Sequence, residues 1–249
     1  MIVQTKKEIK NLLKSGRAIR AALNAMSAAA KPGISTFELD QIALITLEQH
    51  QSKSAPSRIY KFPGNTCISL NDEALHGIPN KNRILQAGDL LKLDIVAERY
   101  GVYTDACVTV LVEPESCTDI DRKLIECAQT AFNKALGVIK PGILTNEIGI
   151  VIEVTAKEYG FSVLTGFGGH GIGKTIHEAP FVPNYNMPDC KEILEEGMVI
   201  AVEPIICEKL GAHYTAVDGW TILTQDSGRV AHYENTVIVT KDNPIVVTL

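Results

Sequence analysis

The chain has 249 residues, 45% of them hydrophobic and 21% charged, with a formal net charge of −5. That composition suits a globular protein long enough to bury roughly three quarters of its unfolded surface without disulfide staples. It excludes a basic nucleic-acid binder, because no tract of Lys and Arg is present to neutralise phosphates, and no run of about 18 apolar residues is available to cross a membrane.

The first residues, Met1 to Glu8, turn polar at once and offer no apolar stretch for a signal peptide. A helical pattern over about 6–30 stops at Lys31-Pro-Gly-Ile-Ser-Thr36. Pro cannot continue a helix, and Gly tolerates the left-handed turn at its end. Thr36 is expected to cap a second helix, with Glu38 in its first turn. An apolar strand follows at 66–70, and His76 stands beyond it in Leu75-His-Gly-Ile-Pro79. Residues 90–97 and 102–112 read as two strands joined by a turn at 98–101. A hairpin closed by that turn sets Asp94 directly opposite Asp105, about 4.5–5.5 Å apart at Cβ. Two carboxylates there repel, and burial adds to the cost of each charge. A shared proton, a cation or a solvent-facing hairpin end would each resolve the conflict.

The second half repeats the first. A helical pattern over 119–138 ends at Lys140-Pro-Gly-Ile-Leu-Thr145, the earlier phrase 109 positions on, with Thr145 as the expected cap and Glu147 after it. At the same offset, Gly88-Asp-Leu-Leu-Lys-Leu-Asp94 aligns without a gap on Gly197-Met-Val-Ile-Ala-Val-Glu203. Duplication accounts for both matches. It predicts one α+β domain over 1–249 with pseudo-two-fold halves of about 1–115 and 116–249, helices covering one face of a curved sheet, and the acids near the axis. Glu203 lies in the apolar strand 198–206 and Glu234 in the β-rich run 230–240. Four acids in four apolar strands are hard to explain without cations. Oxygen ligands suit divalent Mn, Co, Fe or Zn, and shared carboxylates bring two such ions to about 3.5–4 Å.

Residues 168–175 formally satisfy the phosphate-loop pattern G-x-x-x-x-G-K-[ST]. Such a loop must open a helix, and Pro180 and Pro183 leave no room for one, which argues against a nucleotide site. The glycines around His170 instead let the backbone approach closely and free the imidazole to project into a cleft, making His170 the nitrogen partner of the acids. His177 and His76 sit in similar loop settings, suited to donating a hydrogen bond or carrying a proton. His50, His213 and His232 read as surface or structural. Six scattered cysteines without a C-x-x-C pair read as reduced residues, mostly in apolar runs, of a cytoplasmic protein.

These motifs together resemble the type I methionine aminopeptidases of the pita-bread fold over essentially the whole chain. The resemblance rests on Asp94 in KLDI, Asp105 in YTDA, His170 in GGHGIG, Glu203 in AVEPI and Glu234 in HYENT, with His76 in HGIP and His177 in IHEAP. It implies that Asp94 binds one divalent ion, His170 and Glu203 the other, and that Asp105 and Glu234 bridge them. It further implies Glu203 as proton shuttle, His177 as donor to the substrate carbonyl and His76 at the scissile nitrogen. The methionine pocket would comprise Phe62, Cys67 and Trp220, with Ile59 and Ile176 where the family usually has aromatic residues; Leu75 is a further departure. Several motifs are shared with proline-directed peptidases. The absence of a large domain before His76, and the match of Trp220, favour the methionine enzyme. A non-catalytic binding module on the same fold is the alternative from another class. The implied partners are N-termini of nascent polypeptides, with transient ribosome association and a monomeric state expected at family level.

Overall fold

A computed structural model describes all 249 residues. Five α-helices are present: α1 Lys6–Ala29, α2 Thr36–Gln49, α3 Pro56–Tyr60, α4 Asp119–Val138 and α5 Thr145–Glu158. Thr5 caps α1 and exchanges hydrogen bonds with Glu8, satisfying two of the backbone donors that a helix start leaves open. Ser35, one residue before the expected Thr36, caps α2 in the same reciprocal arrangement with Glu38. Thr36 is the first helical residue, and its hydroxyl instead bridges the backbone of Asn80. At α5 the capping position is Leu144, not Thr145, and Glu147 accepts from its backbone N–H at 3.0 Å. No helix is long and apolar enough to cross a membrane.

A nine-stranded antiparallel sheet forms the centre. Its middle strands run Leu90–Arg99, Val102–Leu111, Glu234–Ile238, Val199–Val202, Gly168–Gly171 and Glu178–Pro183, each paired with the next. Alternation along these strands decides what faces the helices. Leu91, Leu93, Ile95 and Ala97 pack with Ile19, Leu23, Met26 and Leu39 of α1 and α2. Ile200, Val202 and Val237 pack likewise with Leu124, Phe132, Ile148 and Ile152 of α4 and α5. Each such fully buried side chain contributes about 1.5–3 kcal/mol relative to exposure. Asp94, between Leu93 and Ile95, is therefore turned to the opposite face.

The two halves carry the same backbone bonds at the same offset. Gly33 donates to the Leu85 carbonyl at 3.0 Å and Gly142 to the Leu194 carbonyl at 2.8 Å. Thr36 donates to Arg83, and Thr145 to Glu192, both at 2.9 Å. Both glycines have φ of +96°, the left-handed geometry that the Pro-Gly break needs.

The hairpin register corrects one expectation. Asp94 stands opposite Cys107, and Asp105 opposite Val96. The turn is made by Tyr100 and Gly101, both at positive φ, which suits the twist of the flanking strands. Centring the turn one residue later than 98–101 moves every cross-strand partner by two. The two aspartates consequently share a face as diagonal neighbours rather than as a direct pair. The apolar runs 198–206 and 230–240 are also each divided. Glu203-Pro204 separates Val199–Val202 from Ile205–Cys207, and Tyr233 separates Val230–His232 from Glu234–Ile238. Ile205–Cys207 and Val230–His232 pair in a second, three-stranded sheet. Both glutamates thus sit where the chain passes from one sheet to the other.

Candidate active site

A cavity of about 720 Å³ opens on the face of the central sheet opposite α1, α2, α4 and α5, with α3 at its edge. Asp94, Asp105, His170, Glu203 and Glu234 all line it. The ligand atoms of Asp105, His170 and Glu234 lie within 4.8 Å of one another. His170 Nε2 is 3.8 Å from Glu203 Oε1 and 4.0 Å from Asp105 Oδ2. His170 rides on the strand Gly168–Gly171, where a Cβ on Gly171 would meet the Ala179 carbonyl at 2.2 Å. Only glycine permits that approach, which presses the His170 strand against its neighbour.

Burial acts on all four acids, and repulsion from neighbouring carboxylates adds to it for Glu203, Asp105 and Glu234. Burial raises Asp94 to about 7, with a hydrogen bond to Asp105 opposing it. Burial, then repulsion from Asp94, raises Glu203 to about 8. Asp105 and Glu234 are held well above the usual carboxylate range, by burial first and by the neighbouring carboxylates second. One oxygen of Asp105 is buried without a hydrogen-bond partner. Acids this crowded are satisfied either by keeping protons or by binding cations, and four carboxylates with one imidazole form an oxygen-rich set suited to first-row divalent ions. The residues present fit such ions.

His170 has a defined tautomer. Its Nδ1 lies 2.9 Å from the Gly171 carbonyl oxygen, which can only accept, so Nδ1 carries the hydrogen and Nε2 presents its lone pair to the acids. Burial lowers His170 to about 4, and His76 is likewise lowered to about 4, by burial and then by His177. Burial lowers His177 also. All three are neutral near pH 7.

His177 precedes the strand Glu178–Pro183, which stands where a phosphate-binding loop would need a helix. Glu178 clamps its loop: Oε1 accepts from Lys174 N–H at 2.5 Å and Thr175 N–H at 2.8 Å, while Oε2 pairs with the Met1 ammonium at 2.5 Å. His76, at φ +57°, packs edge-on to Phe167 with ring centroids 6.3 Å apart. Of the expected pocket residues, Phe62, Cys67, Trp220 and Ile176 line the cavity, as does Leu75. Phe62 and Trp220 meet edge to face, 5.2 Å between centroids.

Ile59 does not line the cavity; it is 47% exposed. The short helix α3 brings Tyr60 to the cavity instead, because adjacent helical residues differ by about 100° in direction. The Tyr60 hydroxyl lies 2.6 Å from His177 Nδ1. His232, read from the sequence as structural, also lines the cavity. Its buried Nε2 has no hydrogen-bond partner and lies 3.8 Å from Glu203 Oε2 and 3.7 Å from Glu234 Oε2. Glu203 thus stands between two imidazoles, His170 and His232. The i, i+2 spacing of His232 and Glu234 was the available signal, and nothing in the sequence marked Tyr60.

A relative from Bacillus subtilis (strain 168) described as methionine aminopeptidase 2 is 44% identical over 250 residues, covering all of this chain and 99% of its own. The crystal structure of a methionine aminopeptidase from Thermotoga maritima matches with a TM-score of 0.95 at 32% identity, over 100% of this chain and 99% of that one. A prolidase from Pyrococcus furiosus matches in fold, with a TM-score of 0.78 at 23% identity, and this chain covers 65% of it. The pita-bread architecture is therefore shared. The profile of metallopeptidase family M24 matches residues 10–241, and the chain belongs to that family.

Proposed function

We propose that this chain removes N-terminal methionine from polypeptides by metal-dependent hydrolysis of the first peptide bond. The observation that carries the reading is one cavity containing four buried, mutually repelling carboxylates and His170 beside the apolar wall of Phe62, Ile176 and Trp220. The family and its methionine aminopeptidase members, at up to 44% identity in the relative above, support it.

Asp94 would hold one divalent ion, His170 and Glu203 a second, with Asp105 and Glu234 between them. Bound there, such ions supply Lewis acidity and lower the pKa of water toward neutrality. Glu203, at the edge of the cluster, takes the proton of the attacking water and delivers it to the leaving amine. His177 donates a hydrogen bond to the scissile carbonyl as negative charge develops on its oxygen. His76 positions the scissile nitrogen. Phe62, Cys67, Trp220 and Ile176 enclose the methionine side chain, whose flexible thioether suits an apolar slot. The two halves act as a single catalytic domain, and the substrates are nascent chains met by a monomer at the ribosome in the cytoplasm.

The deciding experiment is metal-dependent release of methionine from Met-Ala-Ser, run beside Glu203→Ala and His177→Ala. Cleavage confined to Ala-Pro peptides would favour a proline-directed peptidase. Metal-loaded protein inert on every peptide, yet binding a protein partner, would favour a binding module.

A further inference from the structure

We propose that Tyr60 is a positioning residue that fixes His177 in the tautomer bearing its hydrogen on Nε2. The argument starts from a single short contact. The Tyr60 hydroxyl and His177 Nδ1 are 2.6 Å apart, with ring centroids separated by 5.6 Å and tilted by 36°. One of the two atoms donates and the other accepts.

The phenol is the donor. A neutral imidazole has one N–H and one lone-pair nitrogen, and the lone-pair nitrogen is a far better acceptor than a phenol oxygen. A phenol keeps its hydrogen at neutral pH, so Tyr60 has one to donate. With Tyr60 donating to Nδ1, the hydrogen of His177 resides on Nε2, the nitrogen at the far side of the ring. His170 is set the other way. Its Nδ1 donates to the Gly171 carbonyl and leaves Nε2 as a lone pair. Two adjacent histidines in one cavity are thereby assigned opposite work, one to ligate and one to donate.

No other hydrogen bond holds the His177 ring; the loop clamp by Glu178 and the Thr175 hydroxyl act on backbone atoms. Tyr60 is therefore the group that sets both the proton position and the ring orientation. It does this from α3, where Pro56 starts the helix and left-handed Lys61 ends it directly after the tyrosine. What the Nε2 hydrogen is used for rests on the peptidase reading; the tautomer does not.

The test uses zinc-loaded, histidine-¹⁵N-labelled protein and its Tyr60→Phe variant, which keeps the ring and loses only the hydroxyl. The wild-type spectrum should show His177 with hydrogen on Nε2 and an accepting Nδ1. The variant should lose the accepting signature and show both tautomers. With Met-Ala-Ser, kcat should fall about tenfold while KM stays within about twofold, the loss of one oriented donor rather than of substrate binding. Hydrogen on Nδ1 in the wild type, or an unchanged His177 spectrum in the variant, would overturn the proposal. So would a change in KM alone, which would make Tyr60 only a wall of the cavity. A wild type that shows the expected tautomer but cleaves no methionine peptide would refute the peptidase reading and leave the assignment of Tyr60 standing.

Discussion

The rings of His170 and His177 lie 4.3 Å apart between centroids, tilted by 60°, with their Nδ1 atoms committed to partners of opposite kind. A carbonyl holds the first and a phenol the second. Under the proposed function, His170 would hold a cation through its free Nε2 while His177 donated a hydrogen to the substrate carbonyl. Replacing His177 by Ala should lower kcat by about 10²-fold, the usual scale for one oxyanion donor, with less effect on KM. Steady-state kinetics on Met-Ala-Ser with saturating metal measures it.

Metal removal should make stability depend on pH in a defined direction. Asp94 and Glu203 are raised to about 7 and about 8 from reference values of 3.8 and 4.5, so the folded protein holds their protons more tightly than the unfolded chain. Their stabilising contribution is complete below about pH 4 and is lost as pH rises through 7 to 8. Melting of the chelator-treated protein should therefore shift down between pH 5 and pH 9. Added divalent ions, which favour the ionised acids, should flatten or reverse that slope.

Asp94→Asn should separate stability from function. It removes one charge from the repelling group, so the metal-free protein should melt higher at pH 8, by roughly 2–4 °C for each kcal/mol relieved. The same variant should lose metal affinity and activity, measurable by titration calorimetry and peptide cleavage.

His232 should matter to the metal centre although it stood apart in the sequence reading. Burial, then the neighbouring His76 and Lys92, lower it to about 3, so it is neutral and sits between Glu203 and Glu234 without a partner on Nε2. His232→Leu should weaken metal binding or turnover about 10–100-fold, as loss of a group orienting ligands does, and His232→Gln should lose less because it keeps a donor. Equal, unchanged affinities in both would make His232 a core residue only.

The pocket can be mapped by two exchanges. Trp220→Ala removes the edge-to-face partner of Phe62 and should reduce kcat/KM for methionine peptides about tenfold or more. Ile59→Ala, at an exposed site outside the cavity, should change stability by no more than about 0.5 kcal/mol and leave KM unaltered.

The amino-acid sequence alone singled out the acids and the histidine that the fold gathers around one cavity, and the breaks between helices. Asp94, Asp105, His170, Glu203 and Glu234 were marked by being charged or polar in apolar or glycine-rich runs, where uncompensated burial is too costly to be accidental. The Pro-Gly breaks marked where α1 and α4 end, because helix termination is a local property of the backbone. Tertiary structure decided direction. Whether Asp94 faces Asp105 or Cys107 depends on where the hairpin turns, and a one-residue change there moves every partner. Whether Ile59 or Tyr60 enters the cavity depends on the phase of a five-residue helix too short to show periodicity. His232 joined the site because its strand, paired with Ile205–Cys207 in the second sheet, ends just before the chain enters the central sheet at Glu234. Side-chain identity is written residue by residue; side-chain direction is fixed by the elements that pack around it.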